Sequence, residues 1–343
     1  MEFFRRVKSA ARILLRGDSK KKKREPIPAI TAEEVAEIKQ FFPREKFFIF
    51  GHARSGTTLL MRLIRLHPEV HCNYQAHFFT RQPLLKSLVN TSEAEEWLRR
   101  KSNRWNQGRD LSPLVLRVAA DFIMERDAAK EGKRIVGDKS PSSTIHGQAV
   151  RDMRSIYPDA KLIYIVRDGR DVLISERFRN LVEESRFLKA EDKRIIEELR
   201  KDQTPFTNGT RSIFTENVIR RVAGGWVRNL QETDDEGRRL FGENYCSLRY
   251  EDLLAGPFEE MKRLWQFLGV QADPSLERTI AEEMSSNPDE EWQAKRNEDI
   301  ASFLPKGQAG NWQKLFTSHD KAIFKEVAGE TLIRWNYEKN TNW

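Results

Sequence analysis

The chain has few cysteines and no long apolar run. Cys72 and Cys246 are the only two in 343 residues, and they lie too far apart for a zinc-ligand pattern or a disulfide framework, which favours a reducing compartment. No stretch approaches the roughly 18 apolar residues that a membrane-spanning helix needs. No apolar segment typical of a secretion signal follows the basic N-terminal residues. These absences predict a cytoplasmic protein.

Most of the chain also lacks an excess of positive charge. The net charge is +8, but residues 1–25 alone hold ten Lys and Arg against three acidic residues, so the rest is almost neutral. This distribution argues against a nucleic-acid partner. Apolar side chains in residues 1–25 recur at helical spacing between arginines, as in helices that bind membrane surfaces peripherally. A solvated tail with no partner is an equally good interpretation, since one short basic helix binds bilayers weakly.

Residues 26–343 are expected to form one domain. Apolar, strand-like runs alternate with amphipathic segments there, which predicts an α/β fold with a central, mostly parallel β-sheet flanked by helices on both faces. The charged residues 180–215, with their turn-forming Pro205, are predicted to be a mobile insertion. The predicted strands are Phe47–Phe50, Val70–Cys72, Arg134–Gly137, Lys161–Val166 and Tyr245–Tyr250.

A loop bounded by glycines follows the first predicted strand and leads into an amphipathic helix. Its sequence is Gly51-His52-Ala53-Arg54-Ser55-Gly56-Thr57-Thr58. A strand, a Gly-x4-Gly loop and a helix predict a phosphate site on the helix N-terminus. Thr57 stands where nucleotide-hydrolysing loops carry a lysine, and Arg54 supplies the cation instead. The next clear strand ends in Arg167 rather than in a metal-binding acid, so we expect anions to be held directly, without a metal.

Two segments resemble motifs of the sulfotransferases that use 3′-phosphoadenosine-5′-phosphosulfate (PAPS) and have a P-loop-like fold. Ala53–Thr58 resembles the 5′-phosphosulfate loop, although Ala53 replaces a common proline. Tyr164–Ser175 resembles the 3′-phosphate motif and keeps its spacing of eight from Arg167 to Ser175.

Two further segments follow in the family's order. Arg249–Leu253 resembles the Tyr-Glu-Asp segment, and Leu304–Trp312 resembles the C-terminal Lys-Gly loop, with Pro305 where some members carry arginine. The resemblance implies in-line transfer of a sulfuryl group from PAPS to a hydroxyl or amine, with no metal. It implies that Tyr250 stacks on adenine. The donor-binding residues implied are Arg54, Ser55, Gly56, Thr57, Thr58, Arg167, Ser175, Tyr250, Lys306 and Gly307.

Two residues beyond the donor motifs are candidates for catalysis beside Arg54. Lys139 ends a predicted strand and resembles a lysine that faces the transferring sulfonate in carbohydrate-type relatives; the alternative is an exposed turn lysine. Many relatives place a glutamate after the first helix as the general base, but Gln75 falls near that place and cannot accept a proton. His77 is therefore the leading candidate, because histidine titrates near neutrality. His52, Asp138 and His146 rank behind it, and a structural role for His77 is equally compatible with the sequence.

Two other functions compete with sulfuryl transfer. A small-molecule kinase using ATP and magnesium would share the loop, but the missing lysine and the arginine at the end of the strand argue against it. The other alternative is a non-catalytic module that binds a nucleotide or a membrane. In such a module Lys139 and the histidines would have no catalytic role. The sequence restricts the acceptor only to a small molecule, a carbohydrate or a lipid. Several aromatic residues could form walls of its pocket or simply pack in the core: Tyr74, Phe78, Phe79, Trp97 and Trp105.

Overall fold

The computed structural model describes residues 27–81, 85–182, 188–286 and 308–343. The predicted basic helix in residues 1–25 lies outside them. Lys306 and Gly307, the two residues of the C-terminal loop implied in donor binding, also lie outside.

Five parallel strands form the central sheet of the described residues. Their spatial order is β2-β3-β1-β4-β5, and every neighbouring pair is parallel. The predicted parallel sheet is thus confirmed. The strands are β1 (Glu45–Gly51), β2 (Val70–Tyr74), β3 (Ile135–Lys139), β4 (Lys161–Val166) and β5 (Tyr245–Arg249).

Helices connect the strands and cover both faces of the sheet. None of those in the described part of the chain is both long and apolar enough to cross a membrane. They are α1 (Ala32–Lys39), α2 (Thr57–Ile64), α3 (Ser92–Arg99), α4 (Ser112–Lys130), α5 (Gly147–Ile156), α6 (Gly169–Val182), α7 (Ala190–Lys201), α8 (Thr204–Thr207), α9 (Glu216–Phe241), α10 (Tyr250–Ala255), α11 (Pro257–Leu268), α12 (Leu276–Ser285), α13 (Trp312–Leu315) and α14 (Ser318–Arg334).

The central strand β1 shows why the strands read as unbroken apolar runs. Successive side chains of a strand point to opposite faces: Phe48 and Phe50 enter the larger core, whereas Phe47 and Ile49 enter the smaller one. Helices α4, α5, α6, α9 and α14 pack on the first face, and α2, α11 and α12 on the second. Because the helix after β1 and the helix after β4 cover opposite faces, a crevice opens where these neighbouring strands end, the usual ligand site of such sheets.

The charged segment 180–215 takes part in the core. Its helices α7 and α8 bury apolar side chains in the larger cluster, among them Ile196, Leu199 and Phe206. Most of the charged residues in these helices lie on the outer surface. The high charge content of the segment therefore hid the spacing of its apolar residues, which is that of amphipathic helices. The mobility of this segment stays a prediction.

One strand boundary needs correction. Tyr250 does not end a strand but begins helix α10. Of the aromatic residues that could line a pocket or pack in the core, Phe78 and Phe79 are buried in the core. Tyr74, Trp97 and Trp105 are exposed, and the two tryptophan rings stack with their centroids 5.0 Å apart.

Candidate active site

The loop after β1 is held tightly against its neighbours at both glycines. A Cβ atom on Gly51 would lie 2.8 Å from the carbonyl oxygen of Ile165 on β4. Gly56 has a φ of +84°, and a Cβ there would lie 2.2 Å from the ring of Tyr250. Arg54 also has a positive φ, +73°, which is costly for a residue other than glycine. The loop therefore directs backbone and side chains toward one place at the start of α2.

Arg54 and Ser175 join the two sequence motifs implied in donor binding. The Arg54 Nε donates to the Ser175 Oγ on α6 at 2.9 Å. These residues are far apart in the chain, and the strand order β1-β4 brings them together because α6 starts directly after β4. The two motifs consequently line the same crevice.

Arg167 lies at the carboxyl end of β4 and is almost fully buried. Its Nη1 donates to the Arg54 carbonyl oxygen at 3.2 Å, and its Nη2 donates to the Gln308 carbonyl oxygen at 2.9 Å. Its guanidinium lies 4.8 Å from the centroid of the Tyr250 ring. Asp168 does not neutralise it, because that carboxylate pairs with Arg170. Arg167 thus presents its guanidinium in the crevice, as an anion-binding role requires.

Tyr250 packs between this arginine and the loop. Its side chain is 4% exposed, with Gly56 close to one part of the ring and Arg167 over its face. These contacts hold Arg167 against the loop. Stacking of Tyr250 on adenine stays a prediction.

Several buried polar atoms of the site have no hydrogen-bond partner among the described residues. They are the Ser55 Oγ, the Arg167 Nε and the His77 Nε2. Unpaired buried polar atoms are costly and rare in native proteins, and these three belong to residues singled out from the sequence. The Ser55 and Arg167 donors fit an anionic ligand.

Lys139 is the last residue of β3 and is fully buried. Its Nζ donates to the Thr58 Oγ1 at 3.2 Å and lies 3.8 Å from the centroid of the Tyr74 ring. Burial lowers the pKa of Lys139 to about 8. The alternative of an exposed turn lysine is therefore wrong. Lys139 of β3 is paired with Ile49 of β1 in the sheet. Because β1 leads into the loop before α2, this pairing brings the Lys139 ammonium to the start of α2.

The chain after β2 is fastened to the end of β3 in a strained conformation. Gln75 and His77 both have positive φ angles, 57° and 54°. The backbone N–H of Gln75 donates to the Lys139 carbonyl at 2.9 Å, and that of His77 donates to the Ser140 Oγ at 2.8 Å. Two left-handed residues other than glycine in so short a stretch are characteristic of functional sites.

His77 itself is buried, with its Nδ1 2.9 Å from the Thr80 Oγ1. Burial, together with the charges of Arg81 and Lys139, lowers the pKa of His77 to about 4. The ring is therefore neutral near pH 7, with one nitrogen tied to Thr80 and the other unpaired among the described residues. A neutral imidazole with one unpaired nitrogen can take up a proton.

The other predicted histidines are engaged elsewhere. His52 is buried and its Nδ1 lies 2.8 Å from the Ala53 carbonyl oxygen, and burial lowers its pKa to about 4. His146 accepts from the Asn229 Nδ2 at 3.1 Å and lines a small cavity behind the loop.

Asp138 holds the strained segment in place rather than facing the crevice. Its Oδ1 accepts from the Ala76 N–H at 2.9 Å, and its Oδ2 accepts from the Ser140 hydroxyl. Burial raises the pKa of Asp138 to about 6. A carboxylate with both oxygens occupied is poorly placed as the base.

We expect this raised pKa to appear in the pH dependence of stability. The folded state binds the Asp138 proton more tightly than the unfolded state, so the contribution of Asp138 to the unfolding free energy falls as pH rises from about 4 to about 6. Asn carries no charge; its Oδ1 can keep the bond from the Ala76 N–H, and its Nδ2 can donate to the Ser140 Oγ in place of the second bond. Asp138→Asn should therefore unfold at a higher temperature than wild type above pH 6 and lose that advantage near pH 4. Calorimetric scans across this range test it, and an unchanged difference between the two proteins at all pH values would contradict it.

The structure gives roles to residues that the sequence named without one. Tyr74, one of the possible pocket walls, covers the ammonium of Lys139. The Asp171 carboxylate, within the 3′-phosphate motif, accepts the N–H groups of Gly310 and Trp312, and Glu251, within the Tyr-Glu-Asp segment, accepts that of Asp168. The two carboxylates bind distant backbone, and such contacts leave no spacing pattern in the sequence.

Glu176 is a carboxylate that the sequence analysis missed, directly after Ser175. Burial raises the pKa of Glu176, against the opposing charges of Arg221, Arg179 and Arg54. Because it directly follows Ser175, whose hydroxyl contacts Arg54, Glu176 is a second candidate base. Its place beside Ser175 in the 3′-phosphate motif was the available sequence clue.

Comparison with known proteins decides the family. The family model described as "Sulfotransferase family" matches residues 45–274, which hold the whole sheet, the loop and Arg167. The chain belongs to the sulfotransferase family. Protein-tyrosine sulfotransferase A of Caenorhabditis elegans is 24% identical over 245 residues, 69% of this chain and 54% of that protein. Human sulfotransferase 1C2 is 26% identical over 187 residues, covering 49% of this chain and 53% of that protein.

The chain thus spans about half the length of these family members. Two solved structures also resemble it. Mouse sulfotransferase SULT7A1 complexed with PAP has a TM-score of 0.45 at 17% identity, covering 88% of this chain and 89% of that one. Retinol dehydratase in complex with retinol and PAP has a TM-score of 0.45 at 16% identity, covering 89% and 96%.

Proposed function

We propose that the chain transfers a sulfuryl group from PAPS to a hydroxyl or amine of an acceptor. The observation that carries this proposal is the convergence of two anion-binding motifs on one crevice. Arg54 of the loop contacts Ser175 on α6, and Arg167 contacts the backbone of Arg54. A donor with separate 5′ and 3′ anionic groups needs two such groups of cations and donors, whereas ATP needs only one.

The proposed division of the donor site follows the positions of the charges. The start of α2, with Thr57, Thr58 and the Arg54 side chain, is suited to the 5′-phosphosulfate. Arg167 and Ser175 are suited to the 3′-phosphate, because a guanidinium can bind phosphate oxygens with two N–H groups. Direct contact with these cations makes a bridging metal unnecessary in this proposal.

The proposed reaction is an in-line displacement at sulfur. The acceptor oxygen or nitrogen forms a new bond to sulfur while the bond from sulfur to the 5′-phosphate oxygen breaks, and 3′-phosphoadenosine-5′-phosphate (PAP) leaves. Negative charge grows on the departing oxygen. Lys139, placed by Thr58 at the start of α2, can stabilise that charge. The acceptor proton passes to a base, for which His77 is the first candidate.

The direct test uses the full chain with PAPS labelled on sulfur and a panel of acceptors. Tyrosine-containing peptides are tried first, since relatives are named protein-tyrosine sulfotransferases, followed by phenols, sugars and lipids. Transfer of label that EDTA does not abolish supports the proposal. Transfer from γ-labelled ATP that requires magnesium would establish the kinase instead. PAP binding without transfer to any acceptor would favour a non-catalytic module.

Arg167→Ala should weaken PAP binding by about 100-fold, because it removes a buried charged group that bonds phosphate. Affinity for AMP, which lacks the 3′-phosphate, should change much less. Isothermal calorimetry with both ligands measures this difference. Arg134→Ala is the matched control, since Arg134 is an exposed arginine paired with Glu69. Normal PAP affinity in Arg167→Ala would contradict the role of Arg167.

His77→Ala should lower kcat by about 100-fold or more, the usual range for loss of a general base, and leave PAP affinity near wild type. Because the pKa of His77 is about 4, the base should stay neutral and the rate should fall only as pH approaches that value. Glu176→Gln is the comparison variant. If turnover survives in His77→Ala and is lost in Glu176→Gln, the base is Glu176.

A further inference from the structure

An aromatic cage surrounds Arg170 at the back of the proposed donor site. The Arg170 guanidinium lies 3.7 Å from the centroid of one Trp312 ring and 4.5 Å from that of Trp343. The two indoles meet edge to face, with centroids 5.6 Å apart and planes at 79°. Arg170 also pairs with Asp168 and Glu338, and it is 2% exposed. With its charge and its faces occupied in this way, Arg170 supports structure and does not bind a ligand.

The cage is connected to Arg167 through a short stretch of backbone. Trp312 carries one wall of the cage, and the N–H groups of Trp312 and Gly310 donate to the Asp171 carboxylate at 3.1 and 2.7 Å. Two residues before Gly310, the Gln308 carbonyl oxygen accepts from the Arg167 Nη2 at 2.9 Å. The position of Trp312 therefore influences one of the two carbonyl groups that orient the Arg167 fork.

Trp343 closes the cage and is itself held in place. Its carbonyl oxygen accepts from the Lys325 Nζ at 2.7 Å, and that ammonium also lies 5.0 Å from the centroid of the Trp343 ring. The preceding residues are fastened to the same region: the Tyr337 hydroxyl donates to Glu251 at 3.0 Å, and Glu251 accepts the N–H of Asp168. The last residues of the chain thus brace the segment that follows β4.

We propose that Trp343 is a positioning residue for the 3′-phosphate of the donor. It fixes Trp312, Trp312 fixes the backbone at Gln308, and Gln308 fixes the guanidinium of Arg167. The inference rests on the proposed function, since it requires a donor with a 3′-phosphate. Cation–π and aromatic contacts of this kind each contribute modestly, so the effect is expected in donor affinity and not in the chemical step.

The test compares PAP with AMP as ligands of the full chain by calorimetry. Trp343→Ala should weaken PAP binding about 5- to 10-fold, the order expected from loss of one buried cation–π contact and its aromatic neighbour. AMP affinity should change less than about 2-fold on the same grounds, because AMP does not use Arg167. Trp343→Phe keeps an aromatic wall and should restore most of the PAP affinity. In turnover assays the KM for PAPS should rise while kcat stays near wild type.

The outcomes separate this inference from the proposed donor. A wild-type chain that binds PAP and AMP equally would overturn the donor and the inference together. If wild type prefers PAP and Trp343→Ala keeps the full preference, the inference alone is overturned. An equal loss of affinity for both ligands in Trp343→Ala would also overturn it, because a merely structural role would weaken the binding of PAP and of AMP alike. Thermal unfolding of each variant confirms that the binding temperature lies below the transition.

Discussion

Replacement of Lys139 by methionine should lower kcat by about 100- to 1,000-fold, the range seen when one preorganised donor to developing charge is removed. Lys139 is fully buried, and its Nζ contacts Thr58 at the start of α2. Methionine keeps most of the volume and removes the charge. PAP affinity should change far less than kcat, because Arg54 and Arg167 remain. Single-turnover transfer of labelled sulfate together with PAP calorimetry measures both quantities.

The pH dependence gives this prediction a second readout. Because the pKa of Lys139 is about 8, wild-type turnover should fall as pH rises through 8 and the ammonium loses its proton. Lys139→Arg carries a permanent charge and should lack this alkaline decline, even if its rate is lower. A decline that persists unchanged in Lys139→Arg would assign it to another group.

Lys139→Met should also be more stable than wild type near pH 7. The folded state holds the Lys139 proton less tightly than the unfolded state, so wild-type stability rises with pH between about 8 and 10.5. Below pH 8 the buried charge costs stability, on the order of 3 kcal/mol for a shift of this size. Methionine removes that cost. Gain of stability with loss of turnover is the pattern expected of a residue kept for function.

The second large effect concerns Gly56. Gly56→Ala should destabilise the fold by about 3 kcal/mol and abolish measurable PAP binding, because alanine meets two penalties there. Its φ of +84° is strained for any L-residue, and its Cβ would lie 2.2 Å from the Tyr250 ring. Relief of the clash moves Tyr250, which packs against Arg167. Chemical unfolding and PAP calorimetry measure the two losses.

Gly132→Ala provides the matched control. Gly132 has a φ of +66°, but nothing lies within 4 Å of a Cβ built on it. The free energy of unfolding of this variant should therefore fall only by the cost of the positive φ angle, about 1 kcal/mol. It should bind PAP normally. Equal destabilisation of the two variants would show that contact with Tyr250 contributes nothing.

The strands and the loop were predictable because their determinants are local. A strand covered on both faces must be apolar at nearly every position, so Phe47–Phe50 and Lys161–Val166 stand out in the sequence. The turn from β1 to α2 requires its glycines for backbone reasons that a sequence also displays. Helix boundaries depended more on packing. Tyr250 directly follows the strand residues Tyr245–Arg249, yet the chain turns into α10 there and the ring packs against Gly56.

The role of individual side chains depended on contacts between distant parts of the chain. Trp343 acts through aromatic contacts and Asp171 through contacts with distant backbone, and no sequence pattern indicates either kind of contact. His77 and Asp138 both looked like bases, but one keeps an unpaired ring nitrogen among the described residues whereas the other has both oxygens occupied. Burial then set their pKa values on opposite sides of the usual ranges, and burial is a property of the assembled fold.

The sequence by itself determined the α/β sheet, the glycine-bounded loop and the cations Arg54 and Arg167. These features depend on residues that are neighbours in the chain: apolar runs form the buried strands, and the glycines and cations stand where those strands end. Only the tertiary structure decided that Lys139 lies buried against Thr58 and that Ser175 meets Arg54. It also decided that the Gln308 carbonyl and Tyr250 hold Arg167 in the crevice. The physical reason is that the strand order β3-β1-β4 joins segments more than 80 residues apart, and no local pattern records which strands become neighbours.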